Sequence, residues 1–232
     1  MINLAKGDGR YLLNLLDGGG FFAKAAIYDK KGDQHYNLIS ALHKSVRGSD
    51  PDAALYWFAR MIQGGEDPLY ITRRVIRMAI EDISLADPEA LKIAILAHEA
   101  YERLGSPEGD LAIAQAIVYL ALAPKSNALY TSYEEAFENA KQTNHLSPPK
   151  IILNAPTTLM KELDYGKGYQ YDHETQNNFS GQNYFPDDME REEFYHPKEV
   201  GFERELLKRK KYFSKLRKII NEKKEATQKL PL

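Results

Sequence analysis

The chain has 232 residues, 43% hydrophobic and 28% charged, with a formal net charge of −2 and no cysteine. Without cysteine there are no disulfides, thiolate metal sites, iron–sulfur clusters or cysteine nucleophiles. The charge is not that of a chain basic throughout, as nucleic-acid binders usually are. The longest apolar run, residues 116–123, falls far short of the ~20 residues of a membrane span, and residues 1–8 lack the apolar stretch of a signal peptide, so a cytoplasmic chain without a membrane partner is expected.

In chain order, Gly7 to Leu16 reads as a short amphipathic helix, cut off by Gly18-Gly19-Gly20. A recurring mark then opens the helices: a capping side chain followed by proline, at Asp50-Pro51, Asp67-Pro68, Asp87-Pro88 and Ser106-Pro107. The first residue accepts a hydrogen bond from an otherwise free backbone N–H, and proline has no N–H to leave orphaned. Gly64-Gly65, Gly105 and Pro124 supply stops. The pattern predicts helices over about 35–47, 51–63, 68–85, 88–104, 107–123 and 126–142, with short connections that favour antiparallel neighbours. Residues 111–123 are apolar on almost every face, which predicts a central helix covered on all sides. An irregular arm follows over about 147–197, and its many aromatics predict packing on a surface. A strongly charged last helix is expected over about 199–225. The near-equal spacing of Pro51 to Pro88 and Pro68 to Pro107 also fits a helical-repeat scaffold, although no pattern of small and aromatic residues recurs with it.

Catalytic motifs are sparse. No Gly-Lys-Ser/Thr follows a glycine-rich turn, so tight nucleotide binding by this chain alone is not expected. His173-Glu174 has no second histidine four residues on, and His35 and His43 lie two helical turns apart; all six histidines read as surface or hydrogen-bonded groups, with no metal. Gly-x-Ser-x-Gly is absent, and Glu81-Asp82 and Glu134-Glu135 are adjacent on helices, where side chains diverge. Charge is unevenly placed. Residues 161–193 carry nine acidic against three basic side chains, whereas in the last helix Arg204, Lys208, Lys211, Lys215 and Lys218 form one basic stripe. The stripe reads either as a phosphate-contacting surface, with salt-dependent DNA binding, or as a solvated face that pairs with the acidic arm. Arg73, Arg74 and Arg77 read as internal pairs with Glu81 and Asp82. Tyr56, Trp57 and Met61 share one helix; core packing is the default, and an oligomer interface is the alternative.

Several stretches together resemble the replication-associated recombination protein A (RarA/MgsA) family of AAA+ ATPases. They are residues 35–57, Gly64-Gly65-Glu66-Asp67-Pro68, Ala86-Asp87-Pro88, Leu122-Ala123-Pro124-Lys125-Ser126-Asn127, Asn154-Ala155-Pro156-Thr157 and Tyr184-Phe185-Pro186. The resemblance implies an all-α fold: the helical oligomerisation domain that follows the AAA+ module, akin to a clamp-loader collar, with an irregular arm and a terminal basic helix. It implies a homotetramer, DNA and replication-fork proteins as partners of the full-length protein, and a nucleoid-associated role in fork maintenance and recombination. ATP and Mg would serve the full-length protein, none being bound by this chain alone. It divides the chain into a remnant of the AAA+ lid (1–17), a linker (18–34) and the helical domain (35–232), and makes Arg10, in Gly7-Asp8-Gly9-Arg10, the sensor-2 arginine. The P-loop, Walker B aspartate and arginine finger are lacking, so the chain is expected to be part of a larger protein or a truncated product, without ATPase activity of its own.

Overall fold

The computed structural model describes residues 33–228, and every regular element among them is helical. Five helices build a bundle: α1 (Asp33–Arg47), α2 (Pro51–Gln63), α3 (Pro68–Met78), α4 (Glu89–Leu104) and α5 (Glu108–Leu122). They are followed by α6 (Ala128–Thr143), the short α7 (Thr158–Glu162) and the long α8 (Glu203–Gln228). Asp50 Oδ1 accepts the Ala53 N–H at 2.9 Å, and Asp67 accepts those of Leu69 and Tyr70, so both residues cap as expected. Asp87 accepts the Glu89 N–H at 3.1 Å and, on its other oxygen, the Tyr119 hydroxyl at 2.7 Å. That bond ties the start of α4 to the end of α5 and pushes the Tyr119 phenol up to about 12. Ser106 departs from the pattern: its hydroxyl donates to Asp110 at 2.7 Å instead of accepting a backbone N–H, and α5 begins at Glu108.

The core joins Leu42 and Val46 of α1, Phe58 and Met61 of α2, and Ile71, Val75 and Met78 of α3 to the inner faces of α4 and α5. Each large side chain fully buried there contributes about 1.5–3 kcal/mol. The buried residues of α4 are all alanines (Ala90, Ala94, Ala97), and α5 begins with the buried Gly109. At Gly109 an added Cβ would lie 2.9 Å from the Tyr101 ring and 3.0 Å from its Cα.

The expected helix over 68–85 does not run through. α3 ends at Met78, widens into a π-turn (Ala79–Ile83) and tightens into a 3-10 turn (Ser84–Ala86), with Ser84 at φ 51°. Breaking the regular ladder frees carbonyls for partners elsewhere. Asp82 O accepts the Ser126 N–H at 2.7 Å, and Ala86 O accepts the Phe202 N–H at 2.8 Å. The beginnings of both α6 and α8 therefore attach to this corner. Gly201 makes the approach possible: at its φ of 47°, a Cβ would sit 2.0 Å from Ala86 O. Two residues further on, the fully buried Glu203 carboxylate accepts from Ser126 Oγ (2.8 Å), Lys198 N (2.8 Å) and the Tyr195 hydroxyl (3.2 Å). Burial, together with the nearby Glu203 charge, pushes the Tyr195 phenol up to about 12.

Between α6 and α8 the arm holds only short turns and α7. One of its aromatics packs on α8, the Phe179 ring lying 5.1 Å from Phe213 with the Arg217 guanidinium 5.1 Å from the Phe179 centre, whereas Tyr169, Tyr171 and Tyr184 are exposed.

Candidate assembly and nucleic-acid surfaces

α5 packs against all four other bundle helices, with Ile113, Ala116, Ile117 and Leu120 fully buried. It is not covered on all sides, however. Leu111 and Leu122 are 75% and 66% exposed, Gln115 is exposed and Val118 half-buried. At 100° per residue these four lie within about 60° of one another, so they form one open stripe. No charged side chain interrupts α5 between Leu111 and Leu122. Beside Leu111 runs a shallow groove whose other walls include Leu55, Ala59 and Ile62 of α2. Apolar surface left open in this way is a candidate contact site. The sequence held the signal, a helix with more apolar faces than neighbours to cover them, but the same pattern was equally that of full burial.

The three residues expected at an interface separate. Tyr56 is 53% exposed and meets Trp57 edge-on at 5.0 Å, with the Arg60 guanidinium 5.9 Å from both ring centres. Trp57 is half-buried against the core. Met61 is fully buried inside the domain's own core, which removes it from any subunit contact. Met61 lies one turn after Trp57 and on the same, core-facing side of the helix, about 140° round from Tyr56 at 100° per residue.

The basic stripe is exposed along its length: Arg204, Lys208, Lys211, Lys215 and Lys218 all face solvent. Lys208 pairs with Glu205 at 2.7 Å and Lys218 reaches Glu222 at 4.0 Å, both within α8, while Arg204 donates to the Glu199 carbonyl at 2.9 Å. Lys211 and Lys215 make no ion pair among the described residues. The arm meets α8 through lysines off the stripe. Lys210 pairs with Glu193 at 3.0 Å and donates to the Tyr195 carbonyl, and Lys224 donates to the Ser180 carbonyl at 3.2 Å.

Glu81 and Asp82 do not diverge, because the π-turn places them together. Arg47 Nε donates to Asp82 at 2.6 Å and its Nη2 to Glu81 at 3.0 Å; His43 meets Asp82 at 2.6 Å and Arg77 donates to Glu81 at 2.8 Å. Burial on its own would raise the Asp82 carboxyl, but the hydrogen bonds from His43 and Arg47 outweigh it and hold the group below its ordinary range. His43, Glu81 and Asp82 offer ligand atoms within 4.8 Å of one another, yet the Arg47 guanidinium already supplies the positive charge between the carboxylates. The knot fastens α1 to the π-turn. Of the arginine cluster only Arg77 takes its expected i,i+4 partner; Arg73 leans to Asp67 at 3.6 Å. His35 pairs with Glu66, and His98 with Thr72 at 2.6 Å. Arg10, with the lid remnant and most of the linker, lies outside the described residues.

Residues 48–214 match the family model described as MgsA AAA+ ATPase C terminal. The chain belongs to this MgsA C-terminal family. Residues 20–47 match a second model, AAA C-terminal domain, so the junction between the two falls between α1 and α2 of this MgsA-family chain. Replication-associated recombination protein A of Coxiella burnetii is 46% identical over 237 residues, covering 93% of this chain and 54% of the relative. The proteins of the same name from Escherichia coli K12 and Haemophilus influenzae are 51% and 50% identical over 181 residues, 78% of this chain and 40% and 41% of theirs. The MgsA-family chain thus spans about half, or less, of the length of the relatives it matches.

Proposed function

We propose that this chain is the subunit-assembly domain of a RarA-like AAA+ ATPase that acts in replication-fork maintenance and recombination. It gathers subunits as a homotetramer, while ATP and Mg bind elsewhere in the full-length protein. On this reading residues 1–17 are the remnant of the AAA+ lid with Arg10 as sensor 2, residues 18–34 link it to the bundle, and residues 35–232 assemble. The relatives' names support the process, and the open apolar stripe of α5 supports the assembly. Sedimentation should give a mass about four times 26.4 kDa, and Leu122→Glu should lower it. A wild-type chain that stays monomeric at high concentration refutes the reading, and ATP hydrolysis by the chain alone refutes its passive role.

A second role, contact with DNA through α8, is supported by the exposed stripe and its two unpaired lysines. Affinity should fall with salt, with a slope of about −0.7 to −0.9 for each phosphate neutralised. Changing Lys208, Lys211 and Lys215 to Glu should abolish binding in a fluorescence-anisotropy titration. Unchanged affinity removes α8 from the contact.

A further inference from the structure

We infer that the groove between α8 and the arm is a phosphate-binding site, in which His196 of the arm and Ser214 of α8 join Lys211 and Lys215; this deepens, and rests on, the α8 contact reading above. The groove has a volume of about 400 Å³, and Lys210 and Glu193 complete its polar lining. Pro197 and Leu207 supply the rest. On α8, Lys211, Ser214 and Lys215 fall within about 100° of one another, while His196 lines the groove from the irregular chain that precedes α8.

The charges of the groove are unequally engaged. Its one carboxylate, Glu193, is taken: Lys210 pairs with it at 3.0 Å, and the bond from Lys210, followed by the nearby His196 and Arg191, holds its carboxyl below the ordinary range. The Lys211 and Lys215 ammoniums, the Ser214 hydroxyl and the His196 ring have no hydrogen-bond or ion-pair partner among the described residues. Glu190 and Glu192 are exposed on either side of Arg191 and do not line the groove. Two elements therefore present four uncommitted polar groups to one space, with two positive charges unopposed. An arginine fork matches the two oxygens of a planar carboxylate, whereas point donors arriving from different directions match the oxygens of a phosphate. Neutral imidazole keeps one N–H to donate, so His196 serves in either protonation state. The acidic arm is thus the second wall of the basic stripe and not its competitor. Lys208 and Lys218 are exposed on α8 on either side of Lys211 and Lys215, which lets the backbone of a nucleic-acid strand run on along the helix. A small phosphate ion would engage the same four groups.

The intact chain is titrated into a dye-labelled single-stranded oligonucleotide followed by fluorescence anisotropy, and separately titrated with inorganic phosphate in a calorimeter. His196→Ala and Ser214→Ala should each weaken oligonucleotide binding roughly 3–10-fold, the loss of about one hydrogen bond, with the Trp57 urea midpoint unchanged. His173→Ala, on the arm but outside the groove, should have no effect. Inorganic phosphate should displace the oligonucleotide more than chloride does at matched ionic strength, and that excess should vanish in both groove variants. Suppose that changing Lys208, Lys211 and Lys215 to Glu abolishes binding, but His196→Ala and Ser214→Ala bind at wild-type strength or phosphate displaces no better than chloride. The groove is then overturned and the α8 contact stands. Calorimetric phosphate binding that both variants lose, without oligonucleotide binding, keeps the groove as a site for the free ion and removes the nucleic-acid contact. No binding of either probe overturns both.

Discussion

Replacing Glu203 by alanine should loosen the C-terminal half without melting the bundle. Its carboxylate is fully buried and accepts from Ser126 Oγ, Lys198 N and the Tyr195 hydroxyl at 2.8–3.2 Å. A hydrogen bond to a charged group is worth about 1.5–3 kcal/mol, and each donor left unpaired adds a desolvation cost. The three share one acceptor and do not add fully, so about 3–5 kcal/mol is the expected loss. The main core cluster contains no residue beyond Ala123, and the loss therefore falls on the seating of α8. Trp57, the single tryptophan, packs against that core and reports on the bundle alone. Limited proteolysis within residues 165–197 should accelerate at least on the order of 100-fold, since about 1.4 kcal/mol is tenfold in an equilibrium. The urea midpoint followed by Trp57 fluorescence should move little. Glu203→Gln, which keeps the shape and one acceptor, should lie between. If the Trp57 midpoint falls in step with the proteolysis, or if cleavage is unchanged, the reasoning fails.

Gly201→Ala should give the same protease signature by a steric route, because its Cβ would sit 2.0 Å from Ala86 O and break the Phe202–Ala86 bond. The expected cost is about 2–4 kcal/mol, and wild-type protection would refute the close approach. Asp82 has a folded carboxyl held below its ordinary range. It therefore adds stability above pH ~4, where the unfolded group is ionised, and this is lost as pH falls through the folded value. Asp82→Asn should flatten the acid limb of a urea-midpoint-against-pH curve; superimposable curves would count against the knot. Met61→Ala should cost about 2–5 kcal/mol, as core truncations do, and Tyr56→Ala less than about 1 kcal/mol. A Met61→Ala chain that dissociates with an unchanged urea midpoint would return Met61 to the surface.

Much of the bundle was readable in the sequence because its starts are chemically explicit. Asp50-Pro51 and Asp67-Pro68 open helices at those prolines, and Gly64 and Gly105 close two of the helices. Such signals are local, and each needs only its own turn. The corner at 79–86 has no local signature. Its π-turn is held from outside by Arg47 and Ser126 and its 3-10 turn by Phe202, residues 35 to more than 100 positions away. For the same reason Glu81 and Asp82 come together: the divergence of adjacent side chains on an ideal helix does not hold where the ladder is broken. The basic stripe follows from spacing, since α8 is regular, whereas its two free lysines depend on which side the arm occupies. Met61 could not be assigned by residue type, because methionine suits cores and interfaces alike.

The corner also sets an order of events in synthesis. Its two carbonyls, Asp82 O and Ala86 O, receive N–H groups from Ser126 and Phe202, which are translated later. The five bundle helices end at Leu122 and can consolidate while α8 is still unmade. Gly201 and Phe202 are made last and complete a corner whose other partners, Arg47 and Ser126, already exist. The backbone path at Ala86 is accordingly matched to chain that emerges more than 100 residues later.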